Sequence, residues 1–160
     1  MPQHISHPQA LQRPVLWIHG EALGPDNPAL VAWPGRPALF VFDTALIKGG
    51  GQQQGQHLSL KRLGFLYECL LELPVTIRRG DVAAEVLAFA RRHNADGVVT
   101  CAAVAPRFSA VAAAIRAELP LVVLPIEPFV ELDSDDLRRF SRYWRSAEPR
   151  VWQRWSVEAP

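Results

Sequence analysis

The stretch PVLWIHGEALGPDNPAL, residues 14–30, carries an apolar run into a polar loop and ends on Asp26-Asn27-Pro28. Residues 14–18 are apolar throughout, the pattern of a strand covered on both faces. Asn27 before Pro28 is a helix start. The Asn side chain accepts from free amides of the first turn, and a proline at the first helical position gives up no hydrogen bond. Pro34-Gly35 stops this helix at Trp33. A buried strand, a loop and a capped helix in that order open a strand–helix–strand unit.

The same alternation continues along the chain. Short runs rich in Val, Leu, Ile and Phe recur at residues 38–42, 75–77, 97–100 and 121–124. Between them, residues 58–73 place Leu60, Leu63, Leu66, Leu70 and Leu73 on one helical face, and Gly64 costs that helix about 1 kcal/mol relative to Ala. Asp81 caps a helix over residues 82–93. Glu85 lies near its positive end, Arg91, Arg92 and His93 near its negative end, and Asn94 stops it. Residues 110–119 form a fourth, small-sided helix, and Ser134 caps a last one that runs to about Arg145. Five strands alternating with helices predict a three-layer, doubly wound, Rossmann-like α/β domain. Its five-stranded parallel sheet has the order 3-2-1-4-5, and a helical extension follows at the C-terminus. The expected organisation is a disordered leader over residues 1–12, an α/β domain over 13–131 and an Arg/Trp-rich helical extension over 132–160.

Composition narrows the function classes. A chain of 160 residues, 49% apolar, has the material for one well-buried core. With 17 basic and 16 acidic residues the formal charge is +1, so no overall field draws in nucleic acid or an anionic membrane. No apolar run approaches the roughly 20 residues of a membrane span, and MPQHISHPQALQ lacks both the basic start and the apolar centre of a signal peptide. A soluble, cytoplasmic protein is expected. Cys69 reads as helical and Cys101 as the end of a buried strand; two cysteines are too few for a disulfide framework or a zinc site, so no metal is expected.

In the order 3-2-1-4-5 the chain reverses direction between the first and fourth strands, and such sheets bind ligands at the carboxyl ends flanking the reversal. The candidate binding residues are His19, Gly20 and Glu21 after the first strand, Thr100 and Cys101 after the fourth, and Asp43 nearby. His19 beside Glu21 has the makings of a base and its orienting acid, although a single His at a strand end more often serves structure. Cys101 precedes Ala102-Ala103-Val104, which supply no basic neighbour to activate a thiol, and reads as a buried hydrophobe. No catalytic residue is assigned. The first strand is followed by no GxGxxG, and KGGGQQQG at residues 48–55 lacks the GxxxxGK[ST] pattern of a phosphate loop, so a surface loop is expected there. The segment RRFSRYWRSAEPRVWQRW, residues 138–155, interleaves six Arg with Tyr143, Trp144, Trp152 and Trp155. Single-strand nucleic-acid binders share that composition. Residues 131–158 also hold six carboxylates, however, so the aromatics are expected to pack on the domain or on a partner.

Taken together, these segments resemble the N-terminal α/β domain of DNA photolyases and cryptochromes over about residues 13–145. The family's W-F-R-x-D-L-R-x-x-D-N-P-A-L is echoed by Trp17 and by Asp26, Asn27, Pro28, Ala29 and Leu30. LSLKRLGFLYECLLEL is similar to its RxxFLxESLxxL helix, IRRGDVAAEVLAFARRHNADGVV to its RGDPAEVLxxLAxxxGADAV stretch, and FSRYWRSA to its FTPFWRAW. Where the family has R-x-D-L-R, this chain has His19, Gly20, Glu21, Ala22 and Leu23. Where the family has N-R-x-Y-x-P-Y, only Pro106 of the 101–107 segment is kept.

The resemblance implies a domain related to light-dependent DNA repair or photoreception that holds an antenna chromophore, a folate or a deazaflavin, at the strand ends. Loss of both arginines implies weak affinity for anionic folates. In the family a larger helical domain binds FAD and carries out repair; the chain ends at Pro160, so neither FAD nor catalysis is expected of it alone. A protein-interaction subunit is the alternative, docking on a separate flavin-bearing chain or on a second copy through Tyr143, Trp144, Trp152 and Trp155. A nucleotide-binding enzyme of the Rossmann-like class is the third reading. Nucleic acid is not an expected partner of the isolated chain.

Overall fold

A computed structural model describes residues 11–48, 58–128, 130–131 and 139–158. The chain forms two compact units, Met1–Pro125 and Ile126–Pro160. In the first, β1 (Val15–Ile18), β2 (Ala38–Asp43), β3 (Thr76–Gly80), β4 (Val98–Cys101) and β5 (Leu121–Leu124) alternate with α1 (Pro28–Ala32), α2 (Thr44–Lys48), α3 (Leu60–Leu71), α4 (Val82–Arg92) and α5 (Pro106–Arg116). The strands form one sheet in the order β3-β2-β1-β4-β5, every pair parallel. This is the Rossmann-like α/β architecture expected from the sequence. The second unit contains α6 (Phe140–Glu158).

Every residue of β1 and β4 is buried, because helices cover both faces of the sheet centre. The strand period of two then sorts side chains between two cores. On one face Val15, Trp17, Leu39, Val41 and Val98 pack with Val86 and Phe89 of α4 and Ile115 of α5. On the other, Leu16, Ile18, Phe40 and Val99 pack with Ala29 of α1 and Leu70 of α3.

Local signals hold the elements as their chemistry requires. The Asn27 Oδ1 accepts from the Ala29 amide at 2.8 Å, and the Asp81 Oδ1 accepts from Ala84 at 2.9 Å. Asn94 ends α4 in the left-handed region at φ 48°. Gly97 begins the turn into β4 where a Cβ would stand 2.5 Å from Leu11 and 3.0 Å from the Pro120 carbonyl, so only glycine lets these backbones approach.

Several boundaries differ from the sequence expectation. β3 continues through Arg78, Arg79 and Gly80 instead of ending at Ile77; as an edge strand paired only with β2, it has room for polar side chains, and Arg78 bonds Glu85 at 3.2 Å. The short α2 was not anticipated, because its start depends on Asp43 accepting from the Ala45 amide at 2.8 Å. α5 begins at Pro106, four residues before the expected start at 110, with a cap supplied from outside the segment. Leu60 opens α3 but is 85% exposed, so the covered face of that helix is Leu66, Leu70 and, beyond its end, Leu73. α6 runs on through Pro149 to Glu158 instead of stopping near Arg145, although the proline has no amide for the hydrogen-bond ladder and its ring crowds the carbonyl four residues back. Ser134, the glycine-rich loop from residue 49 onward and residues 1–10 of the expected leader lie outside the described residues. Leu11 packs on the second core, and the Gln12 amide donates to Asp96 at 2.6 Å.

Candidate functional site

The loops leaving β1, β2 and β4 bring His19, Glu21, Asp43 and Arg107 to one end of the sheet. Each of these polar side chains is engaged within the protein. The Glu21 amide donates to His19 Nδ1 at 3.3 Å, which places the ring proton on Nε2; that nitrogen donates to the Cys101 carbonyl at 2.9 Å. Nε2 thus joins the β1 loop to the end of β4, while Nδ1 is engaged within the loop itself. The Glu21 carboxylate reaches farther, accepting from the Val104 amide through Oε2 and the Ala105 amide through Oε1, each at 2.8 Å. Ala105 is the N-cap position of α5 and has no capping side chain of its own. Glu21 supplies the missing acceptor at the positive end of the helix.

Cys101 is fully buried, and its sulfur lies 3.3 Å from His19 Nε2 and 3.6 Å from Asn27 Nδ2. Burial pushes its thiol up from the ordinary value, with the Glu21 charge adding to the rise and the Asn27 hydrogen bond only partly opposing it. The thiol is protonated at neutral pH, and the imidazole beside it points a proton toward it instead of a lone pair. This is not the arrangement of a nucleophile and its base. Thr100 is also fully buried and donates to the Trp17 carbonyl at 2.7 Å. Asn27 Nδ2 donates to the Ala22 carbonyl at 2.8 Å, so one buried amide caps α1 and ties down the loop before it.

On the other flank the buried Asp43 receives Arg107 in a two-point ion pair, Nε at 2.9 Å and Nη2 at 2.7 Å from one carboxylate oxygen. This pair joins the end of β2 to the first turn of α5. Below it lies a cavity of about 510 Å³. Its size is ordinary for a small-molecule site. The walls are mainly apolar and aromatic, including Trp17, Phe40, Phe42, Leu66, Phe108 and Val111. Trp17 and Phe108 stack at 5.4 Å and 12°, and His19 meets both edge-on, at 6.0 and 5.6 Å. Gly20 borders the same space without needing to be glycine, since a Cβ there would meet only Leu66 at 3.7 Å.

Of the six residues expected to bind a ligand, His19, Gly20, Glu21 and Asp43 line the cavity; Thr100 and Cys101 do not. The reason is physical. The His19 and Glu21 hydrogen bonds close the β1–β4 side of the reversal, and the open space lies over β1 and β2. Arg107 and Phe108 were not singled out from the sequence, although Pro106 at the first position of a helix after the fourth strand marks where they would face the strand ends. Tyr143 and Trp144 of α6 are half-buried, with Trp144 stacked on Phe140 at 6.0 Å, while Trp152 and Trp155 are 56% and 65% exposed. Among the described residues no cluster of His, Cys, Asp and Glu could hold a metal ion, and no helix is long and apolar enough to cross a membrane. Compared with known protein-family models and with curated proteins, the sequence matches none.

Proposed function

We propose that this α/β unit is a photolyase- and cryptochrome-like ligand-binding domain that holds a small planar chromophore at the strand carboxyl ends and performs no chemistry of its own. The observation that carries the reading is the cavity of about 510 Å³ with the Trp17–Phe108 stack in its wall, beside polar groups already hydrogen-bonded within the protein. An aromatic wall offers stacking and burial to a flat ring. Acid–base catalysis needs a side chain free to take a proton, and His19, Glu21 and Asp43 each have a structural partner instead. The sequence resemblance supports light capture as the role of the ligand, with a deazaflavin fitting the apolar wall better than an anionic folate; FAD binding is not part of this reading.

The test is an absorbance spectrum and mass spectrum of the natively purified protein. A ring compound retained by wild type and by Gly20→Ala, and lost from Gly20→Leu, whose longer side chain enters the cavity, is the expected result. A wild-type protein that neither carries such a compound nor takes up a deazaflavin or a folate when supplied overturns it.

A second reading, an interaction subunit docking on a flavin-bearing chain or on another copy, draws on α6, where Phe140 is 73% and Trp155 65% exposed. Aromatic and Arg-rich surfaces favour interface cores. Sedimentation at rising concentration tests it. A monomer that also fails to bind a flavin-bearing photolyase-type chain counts against it.

A further inference from the structure

We infer that Glu21 and Asp43 are built-in counter-anions that make the cavity select uncharged ligands and reject phosphate-bearing ones. The inference rests on the ligand-binding reading and specifies its chemistry. Two elements at this end of the sheet attract anions. One is the start of α5, an eleven-residue helix whose preceding amides, Val104 and Ala105, point together toward the β1 loop. Such amides, with the helix dipole behind them, are what bind phosphate in many nucleotide sites. The other is Arg107, whose guanidinium is shaped to grip a phosphate or carboxylate with two parallel bonds. Both are already satisfied from inside. The two Glu21 oxygens take one amide each at 2.8 Å, and an Asp43 oxygen takes Arg107 at 2.7 and 2.9 Å.

The consequence is a charge-compensated rim. A ligand phosphate placed near α5 would have to displace the Glu21 carboxylate or lie beside it, and one approaching Arg107 would meet the Asp43 carboxylate. Like-charge contact is unfavourable, more so beside the buried Asp43 than beside the exposed and screened Glu21, and both acids are tethered, so they compete at high effective concentration. An uncharged ring gives up none of these bonds and gains the aromatic wall. Glu21 and Asp43 are thus specificity-determining residues, acting by exclusion.

Inorganic phosphate, against chloride at matched ionic strength, is the probe, read by thermal unfolding and by amide NMR. Wild type should show no phosphate-specific change in Tm and no saturable shift at the Val104 and Ala105 amides. In Glu21→Ala the amides lose their acceptor; its Tm in chloride should fall, and phosphate should raise it by about 3 °C or more. Glu21→Gln keeps one acceptor and should give a smaller response, which covers the case in which Glu21→Ala does not fold. Asp43→Asn should gain a separate phosphate response through Arg107. Saturable phosphate binding at Val104 and Ala105 in wild type overturns the inference, as does the absence of a phosphate response in every folded Glu21 variant. No chromophore is used, so these outcomes are separate from success or failure of the ligand-binding reading.

Discussion

The α/β unit and the C-terminal helix solve the same problem differently. In the α/β unit both faces of the sheet centre are covered, although Leu60, Phe65 and Leu71 of α3 stay exposed, and the starts of α1 to α5 each have an acceptor: Asn27 for α1, Asp43 for α2, Ser59 for α3, Asp81 for α4 and Glu21 for α5. α6 has no acidic residue in its first turn and no basic one in its last, carries Pro149 inside, and leaves Phe140, Trp152 and Trp155 mostly exposed. Ties within its own unit include the stack of Phe140 on Trp144 and bonds from Arg150 to the Glu131 carbonyl and from Arg154 to the Pro128 carbonyl at 3.4 Å. The α/β unit therefore draws its stability from buried area and satisfied caps, whereas α6 buries Ala147 alone among its described side chains and relies mostly on contacts at its surface. The two should respond differently to substitution.

The largest effect is expected in the core. Leu39, 1% exposed on β2, belongs to the core that also takes in residues of α4 and α5; Leu39→Ala should cost about 2–5 kcal/mol in denaturant unfolding. A loss below about 1 kcal/mol would mean that the sheet centre is loosely packed and that the contrast with α6 fails.

Asn27→Ala comes next. It removes the acceptor for two α1 amides and leaves the Ala22 carbonyl without its donor, for an expected loss of about 1–3 kcal/mol. Asn27→Asp keeps the cap but places a carboxylate against the Ala22 carbonyl, so it should recover less than the cap is worth. Full recovery would show that the amide donation to Ala22 adds nothing.

The pH dependence sharpens the picture at both ends of the scale. Burial acts to raise the Asp96 carboxyl, but the Gln12 and Arg13 amides and the Arg13 charge outweigh it, so its folded value is below the ordinary one of 3.8. The unfolded chain then binds the proton more readily, and the stabilisation, present above that value, is lost as pH falls through the folded value. Asp96→Asn should remove this part of the acid slope. The Cys101 thiol is shifted upward instead: its stabilisation is complete below the ordinary value of 9.0 and is lost as pH rises toward and through the folded value. Cys101→Ala should flatten the alkaline slope, as measured by unfolding across that range.

The smallest effect is expected from α6. Trp152→Ala with Trp155→Ala should change the unfolding free energy of the α/β unit by no more than about 0.5 kcal/mol, because both side chains are largely exposed. A smaller sedimenting species in the same variant would support the interaction reading. A marked loss of α/β stability would show that these aromatics belong to its core.

What was legible in the sequence follows the range of the interactions. The β1–α1 unit was readable because Asn27 acts on amides two and three residues away, and α4 because Asp81, Glu85 and Asn94 lie within its own span. The strand order followed from alternation and handedness. The start of α5 was misplaced because its acceptor, Glu21, is more than eighty residues distant in sequence, and α2 because it begins on a side chain that reads simply as the polar end of a strand. At the site, topology located His19, Gly20, Glu21 and Asp43, but nothing local reveals that Arg107 pairs with Asp43 across 64 positions or that His19 donates to a carbonyl on another strand. Those pairings engage each polar side chain within the protein, and they are what the proposed ligand-binding reading draws on.

The measurement that bears most directly on the central claim is an equilibrium titration with 5-deazariboflavin, an uncharged planar tricycle, followed by its own fluorescence. Saturable binding to wild type and Gly20→Ala, weakened by about tenfold or more in Gly20→Leu, is the predicted result. No saturable binding to wild type, or equal binding by all three proteins, would contradict it.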